Sequence, residues 1–435
     1  MRVFDLPLDD VQRLVGSIRG EQAPESVADA FARVAWTVLA EPADQVAGQL
    51  LRSLGPSRAL ESLIAQDPTA AIDAWIGDGV SPHRAERVVA EAFDRWRPRL
   101  AARPVVRAIE QAAGLRLRVV LPGDSEWPDG FEGLGPAAPV ALWVRGDTAV
   151  LGTLDRAVAV VGARAATGYG EYVAAEVAGG LAQRGRAVVS GGAYGIDAAA
   201  HRATLGVGGI GVAFLAGGLD RYYPSGNSEL LARVARTGVV ASEVPPGVAP
   251  TKVRFLNRNR LLAAASAATV VVEAGLRSGS LNTAHHALAI GRPVGAVPGP
   301  VTSPASAGCH RLLREENAMC VTSADDAIEL AGGDRGDAML AYEPEDPSVV
   351  RVLDAIGIRR GRTVDEVARS SGLAVGETLG VLASLEIAEV VRRVKSGWVR
   401  VPGSRAPTGD GPDGRDSGDS GDDGDDDGRA DEGRR

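Results

Sequence analysis

The stretch Ala157-Val158-Ala159-Val160-Val161-Gly162-Ala163-Arg164-Ala165-Ala166-Thr167-Gly168-Tyr169-Gly170 decides the fold class. An apolar run dominated by valine stops at a glycine turn, and an alanine-rich, helix-compatible stretch follows. A run of this kind without polar alternation reads as a strand covered on both faces. The same rhythm continues outward from Arg156 to about Leu330. Further apolar runs lie at Ala187–Ser190, Gly211–Leu215, Val239–Ser242, Thr269–Val272 and Pro293–Val297, each followed by a helical stretch. Strands alternating with helices predict βαβ units and a parallel sheet in an α/β fold.

Residues 1–105 read as a separate helical domain. Val27, Phe31, Val34, Ala35, Val38 and Leu39 recur at helical spacing, as do Val46, Leu50, Leu51 and Leu54. The sheet domain is expected over 106–335, and a Gly-, Asp- and Pro-rich linker over 336–347. Residues 348–402 predict a winged helix. Its helices are expected at Val349–Ile356, Thr363–Ser370 and Val375–Ile387, with Ser371-Gly372-Leu373 as the turn and Val390–Val401 as the wing. Residues 403–435 hold 11 acids, 5 bases and no Val, Ile, Leu or aromatic residue, so an acidic tail without a core is expected there.

The chain of 435 residues is 45% apolar, which suits several folded parts. The net charge of -9 is concentrated in the tail, which carries -6, so the body is only -3. Two cysteines, Cys309 and Cys320, make no disulfide framework and fit a reducing compartment. The N-terminus lacks the order of a signal peptide. The longest nearly apolar run, Leu261 to Val272, is too short to span a bilayer. These features predict a cytoplasmic protein without a membrane contact.

Three strand-to-helix turns invite an anion. The first holds Gly162, Arg164 and Thr167; the second, Ser190, Gly191, Gly192 and Gly195; the third, Arg277, Ser278, Gly279, Ser280 and Thr283. Backbone N–H groups and the helix dipole can hold phosphate at such places. Any one of them could simply cap its helix; three on the carboxyl edge of one parallel sheet, where open α/β folds bind ligands, exceed what packing needs. The glycines do not follow G-x-G-x-x-G, and Ser190-Gly191-Gly192 stands where a ribose-binding carboxylate belongs, which disfavours NAD. Neither lysine lies in a G-x-x-x-x-G-K-[ST] loop. No cofactor or metal is expected.

From Thr251 to Arg314 eight bases face one acid, Glu273, giving +7. Within that segment Lys252, Arg254, Asn257, Arg258, Asn259 and Arg260 surround Phe255, as in a groove that follows a polyanion. A run of charge is usually a solvated helix face; the neighbouring turns raise the polyanion reading above that. Candidate catalytic groups are Asp197, His201, Asp220 and Glu273. Asp197 and His201, four residues apart on one helix, could form an ion pair or a base with its orienting group. The alternative to a nucleic-acid binder is a nucleotide-binding or nucleotide-hydrolysing enzyme, with Glu273 on the ribose.

Taken together these motifs resemble the DNA processing protein A family (DprA/Smf). The resemblance is carried by Val161-Gly162-Ala163-Arg164, by Ser190-Gly191-Gly192-Ala193-Tyr194-Gly195-Ile196-Asp197 with His201, and by Gly217-Gly218-Leu219-Asp220 with Tyr223-Pro224 and Asn227. It continues in Ser242-Glu243, in Phe255 with Arg258-Asn259-Arg260, and in Glu273-Ala274 with Ser278-Gly279-Ser280. It spans roughly residues 120–330 and extends more loosely to the N-terminal helices, which would be SAM-like, and to the winged helix. It implies an extended Rossmann-like fold and a dimeric, non-enzymatic protein that binds single-stranded DNA and hands it to the RecA recombinase in transformation and recombination. Arg164 and Lys252 would contact phosphate. The sequence departs from the family pattern at Leu256, at Ser225-Gly226 and at Cys309-His310-Arg311.

Overall fold

The computed structural model describes residues 2–4, 6–19, 25–333, 347–357, 361–387 and 390–401. The expected linker at 336–347, apart from Pro347, and the expected tail at 403–435, lie outside the described residues. The chain divides into two compact units, Met1–Gly336 and Asp337–Arg435.

The first unit is built on a nine-stranded sheet. A short pair, β1 (Arg2–Val3) and β2 (Leu6–Pro7), precedes it. The sheet strands are β3 (Arg118–Val120), β4 (Leu142–Gly146), β5 (Val158–Val161), β6 (Val188–Ser190), β7 (Gly211–Leu215), β8 (Val239–Ser242), β9 (Ala268–Val271), β10 (Val294–Ala296) and β11 (Met319–Cys320). Their order is β11-β10-β9-β5-β6-β7-β8-β4-β3. The seven strands from β11 to β8 are parallel, with Val158 opposite both Val188 and Ala268. The six expected strands are all present, with ends shifted by no more than one residue. β4 and β3 extend the sheet antiparallel beyond β8, an addition the parallel expectation did not contain.

Helices cover both faces, which explains why the central strands lack polar alternation. They are α8 (Gly168–Gln183), α9 (Ile196–Gly206), α10 (Ser228–Thr237), α11 (Lys252–Ala264), α12 (Ser280–Ala289), α13 (Ala307–Glu315) and α14 (Ala324–Leu330), preceded by α1 (Leu8–Gly16), α2 (Val27–Leu39), α3 (Gln45–Leu54), α4 (Pro56–Ala65), α5 (Thr69–Gly77), α6 (Pro82–Trp96) and α7 (Ala102–Gly114). In α2 the expected face is the buried one: Phe31, Val34, Ala35 and Leu39 are fully covered. Ser26 caps the helix by accepting the N–H of Asp29. Trp36 packs edge-on against Trp96 at 4.9 Å. That core does not end at residue 105. It runs on through Trp143, Leu215, Leu231 and Val240, so the helical region and the sheet share one hydrophobic interior.

The second unit has its own core of Val352, Leu353, Val367, Leu382, Leu385, Val391 and Trp398. Its elements are α15 (Pro347–Ala355), α16 (Val364–Ser371), α17 (Val375–Ile387), β12 (Val391–Val394) and β13 (Gly397–Arg400), a winged helix. Gly372 ends α16 at φ 72°, a left-handed turn that favours glycine. Exposed positions of α17 include Val375, Leu379 and Ile387, together with Glu377 and Glu386, and the helix carries no base.

Candidate nucleic-acid interface

β9 returns to pair with β5 on the side away from β6, so the connections after β5 and β9 part there. This is the switch point at which open α/β sheets form a crevice. A cavity of about 850 Å³ opens at that point. Gly162, Ala163, Arg164 and Ala165 line it after β5, and Ala193 and Asp197 after β6. Tyr223 and Pro250 come from later connections, and Gly275, Arg277, Ser278, Gly279, Ser280 and Thr283 follow β9. The remaining wall is one face of α11.

That helix has two faces with different tasks. Thr251 caps it through the N–H of Arg254. Lys252, Phe255, Leu256, Arg258, Asn259 and Leu262, which recur along one side of the helix, look into the cavity. Arg254 and Asn257 look the other way. Arg254 donates from Nε and Nη2 to Glu41, both at 2.9 Å, and Asn257 donates to the carbonyl of Pro42 at 2.7 Å. Arg99 also reaches Glu41. Burial would raise the Glu41 carboxyl, but the hydrogen bonds and charges of Arg254 and Arg99 outweigh it and leave it below its ordinary value. Arg260 is 2% exposed, forks onto Glu243 at 2.5 and 2.6 Å, and donates to the carbonyl of Ala137. Arg254, Asn257 and Arg260, expected in the groove, are therefore structural ties that face away from it.

The charge count over Thr251–Arg314 needs the same correction. Arg254, Arg260, Arg311 and Arg314 pair with Glu41, Glu243, Glu316 and Glu315, all outside that segment. The +7 overstated the footprint because the fold brings Glu41 and Glu243 to two of those bases, while Glu315 and Glu316, just past the end of the segment, pair with two more.

The glycine turns also do more packing than the sequence implied. Ser190 is fully buried and donates to the carbonyl of Val160. A Cβ on Gly191 would lie 1.9 Å from the Arg258 guanidinium, which donates to the carbonyl of Phe214 at 2.6 Å. Gly192 is covered, and Gly195, at φ 72°, turns tightly against the carbonyl of Ala163. The second turn thus holds the chain's own guanidinium, and Ser190, Gly191, Gly192 and Gly195 do not line the cavity. Thr167 is engaged as well: its N–H and hydroxyl donate to the two oxygens of Glu273 at 2.8 and 2.7 Å. Glu273 is 1% exposed and faces α8, so it has no oxygen turned to a ribose in the cavity.

Beneath the cavity, burial raises the Asp197 carboxyl, opposed by Arg258 and by the N–H of Ala193. Burial lowers Arg258 to about 10, with Asp197 acting in the other direction. His201 is fully buried and pushed down to about 4, by burial and then by Arg258. Among the described residues neither of its ring nitrogens has a hydrogen-bond partner, so the ion pair that the Asp197–His201 spacing allows is not made.

What remains at the rim is cationic and aromatic. Arg164, Lys252 and Arg277 are exposed and form no ion pair among the described residues. Arg164 lies over the Phe255 ring at 4.5 Å, and Tyr223 meets the same ring at 5.7 Å. Ser278 and Ser280 share a hydroxyl contact at 2.7 Å, and Asn259 donates to the carbonyl of Gly279, which fixes the turn before α12. The structure thus gathers Gly162, Arg164, Lys252, Arg258, Asn259, Arg277, Ser278, Gly279, Ser280 and Thr283 around one cavity. Tyr223 and Asp197 also line it, although neither stood among the residues expected to bind. Tyr223 lies far from the basic segment in sequence, and only the fold brings it to Phe255.

Two family models match the chain: DNA recombination-mediator protein A over residues 118–332, and the DprA winged helix domain over residues 337–397. The DprA-named protein of Mycobacterium tuberculosis is 51% identical over 297 residues, covering 65% of this chain and 76% of the relative. Protein Smf of Escherichia coli is 36% identical over 272 residues, covering 60% and 72%. The crystal structure of DNA processing protein A from Streptococcus pneumoniae superimposes with a TM-score of 0.53 at 30% identity, covering 69% of this chain and 97% of that one. With the sheet, its switch-point cavity and the winged helix in place, the chain belongs to the DNA processing protein A (DprA/Smf) family.

Proposed function

We propose that the protein binds single-stranded DNA in the switch-point cavity without strong sequence preference and delivers it to the RecA recombinase, acting as a homodimer rather than as an enzyme. The observation that carries this reading is the rim: three cations that form no ion pair among the described residues, beside Phe255 with Arg164 over its ring and Tyr223 tilted against it at 56°. Cations neutralise phosphates of any sequence, and exposed rings accept bases that are free to unstack. The matched family is described as a recombination mediator, which supports delivery to a recombinase. The nucleotide-hydrolysing alternative is weakened because Glu273, its ribose ligand, is held by Thr167.

A gel shift with single- and double-stranded oligonucleotides at two salt concentrations tests the proposal. Three phosphate contacts give a log–log salt slope of roughly -2 on a single strand. Preference for the duplex, or binding insensitive to salt, overturns it. Product release from nucleoside monophosphates would revive the enzyme.

A further inference from the structure

Among the described residues, the exposed aromatic side chains are Tyr169, Tyr172, Tyr194 and Tyr223, at 41, 65, 49 and 51% exposure. The whole chain has six tyrosines, six tryptophans and six phenylalanines, so exposed rings are scarce. All four lie at the carboxyl edge of the sheet, in the connections or first helical turns that follow β5, β6 and β7. Among the described residues no two of these four rings are in contact with each other. Tyr223 lines the cavity, and Tyr194 stands beside it: a Cβ on Gly226, three residues after Tyr223, would lie 2.6 Å from the Tyr194 hydroxyl. On the other flank Tyr169 comes up to Gly299, in the loop after β10, with Tyr172 one turn further along α8. That loop also carries Pro304, whose carbonyl approaches Gly275 in the cavity wall.

We infer that the exposed tyrosines extend the DNA site beyond the cavity on both flanks, as a track on which unpaired bases stack while Arg164, Lys252 and Arg277 hold the phosphates between them. This rests on the single-strand reading above. A protein partner would cover one contiguous apolar patch, whereas rings placed on both sides of a cationic cavity suit an extended strand. Stacking is sequence-tolerant and releases no counterions, so it raises affinity without steepening the salt dependence.

The test compares Tyr172→Ala and Tyr194→Ala in the full chain, using oligonucleotides of about 4 and about 20 nucleotides. The expected result is that each variant binds the longer strand at least about five-fold more weakly, leaves the short one unchanged and keeps the salt slope. Tyr→Phe at either position should restore affinity, since the ring and not the hydroxyl does the stacking. Unchanged binding of the longer strand by both alanine variants, while Arg164→Ala still weakens it, removes the track and leaves the cavity reading standing. Unchanged affinity with a shift in oligomeric mass assigns the rings to an interface between copies, and that too overturns the track. If Arg164→Ala and Lys252→Ala also bind normally, the cavity reading itself falls.

Discussion

Replacing Arg260 by alanine should unfold the protein more readily without changing what it binds. Arg260 is 2% exposed and its side chain ends on Glu243, which is 7% exposed at its own side chain. It also satisfies the carbonyls of Ala137 and Asn257. Truncation leaves the Glu243 carboxylate buried with no counter-charge, at a cost of about 3–5 kcal/mol. At roughly 2 °C per kcal/mol for a chain of this size, the melting temperature of the first unit should fall by about 6–10 °C. Arg260→Met combined with Glu243→Leu removes both charges and should recover most of that loss. The assay pairs thermal unfolding with DNA affinity measured well below the transition at several salt concentrations. Retained stability with a salt slope shallower by about 0.7 would refute the reasoning, because Arg260 would then be reaching a phosphate.

Other expectations follow from the same geometry. Arg164→Ala and Lys252→Ala should each weaken single-strand binding and reduce the salt slope by roughly 0.7, read from affinities at several salt concentrations; normal affinity in both removes the cavity assignment. His201 has its pKa at about 4 in the fold against 6.5 in the open chain, so the folded state takes up fewer protons in between. Stability is therefore complete above pH 6.5 and is lost as pH falls towards 4, by roughly 3 kcal/mol in all; denaturant titrations across this range should show a shallower acid limb for His201→Leu, and an identical limb counts against the assignment. The isolated winged helix, whose α17 carries two acids and no base, should bind duplex DNA poorly in a filter or anisotropy assay, since base edges are read mainly by Arg, Lys, Asn and Gln. Tight, sequence-dependent duplex binding by that fragment would overturn this expectation and make it a duplex reader.

The strands of the parallel sheet were legible because burial on both faces leaves an uninterrupted apolar run, and Gly372 marked the winged-helix turn because few other residues adopt its backbone angle. β3 and β4 pair antiparallel at the edge of the sheet, outside the strand–helix alternation, and nothing in Arg118–Val120 or Leu142–Gly146 names the strand each will join. The cavity was legible as glycine turns and bases, but the role of each base was not. Arg254 finds Glu41 across 213 residues of chain, and Thr167 finds Glu273 across 106. Counting charge along a segment cannot see partners at that separation, so residues with the same local chemistry divided into Lys252 at the rim and Arg254 on the far side of the helix. Tyr223 was hidden for the converse reason, since its neighbour Phe255 lies on a different connection.

The Glu273 carboxylate occupies the start of α8, the seat where dinucleotide folds place a ligand phosphate. A tethered anion does not dissociate and is present at full occupancy whatever the metabolite pool contains. Free mononucleotides, abundant wherever DNA is handled, therefore meet a filled seat and make poor competitors at that position. A long strand held as proposed would lose nothing by this, because its grip would be spread over side chains instead of one helix end. On the single-strand reading, the cavity would in this way be insulated from small metabolites while staying open to a polymer.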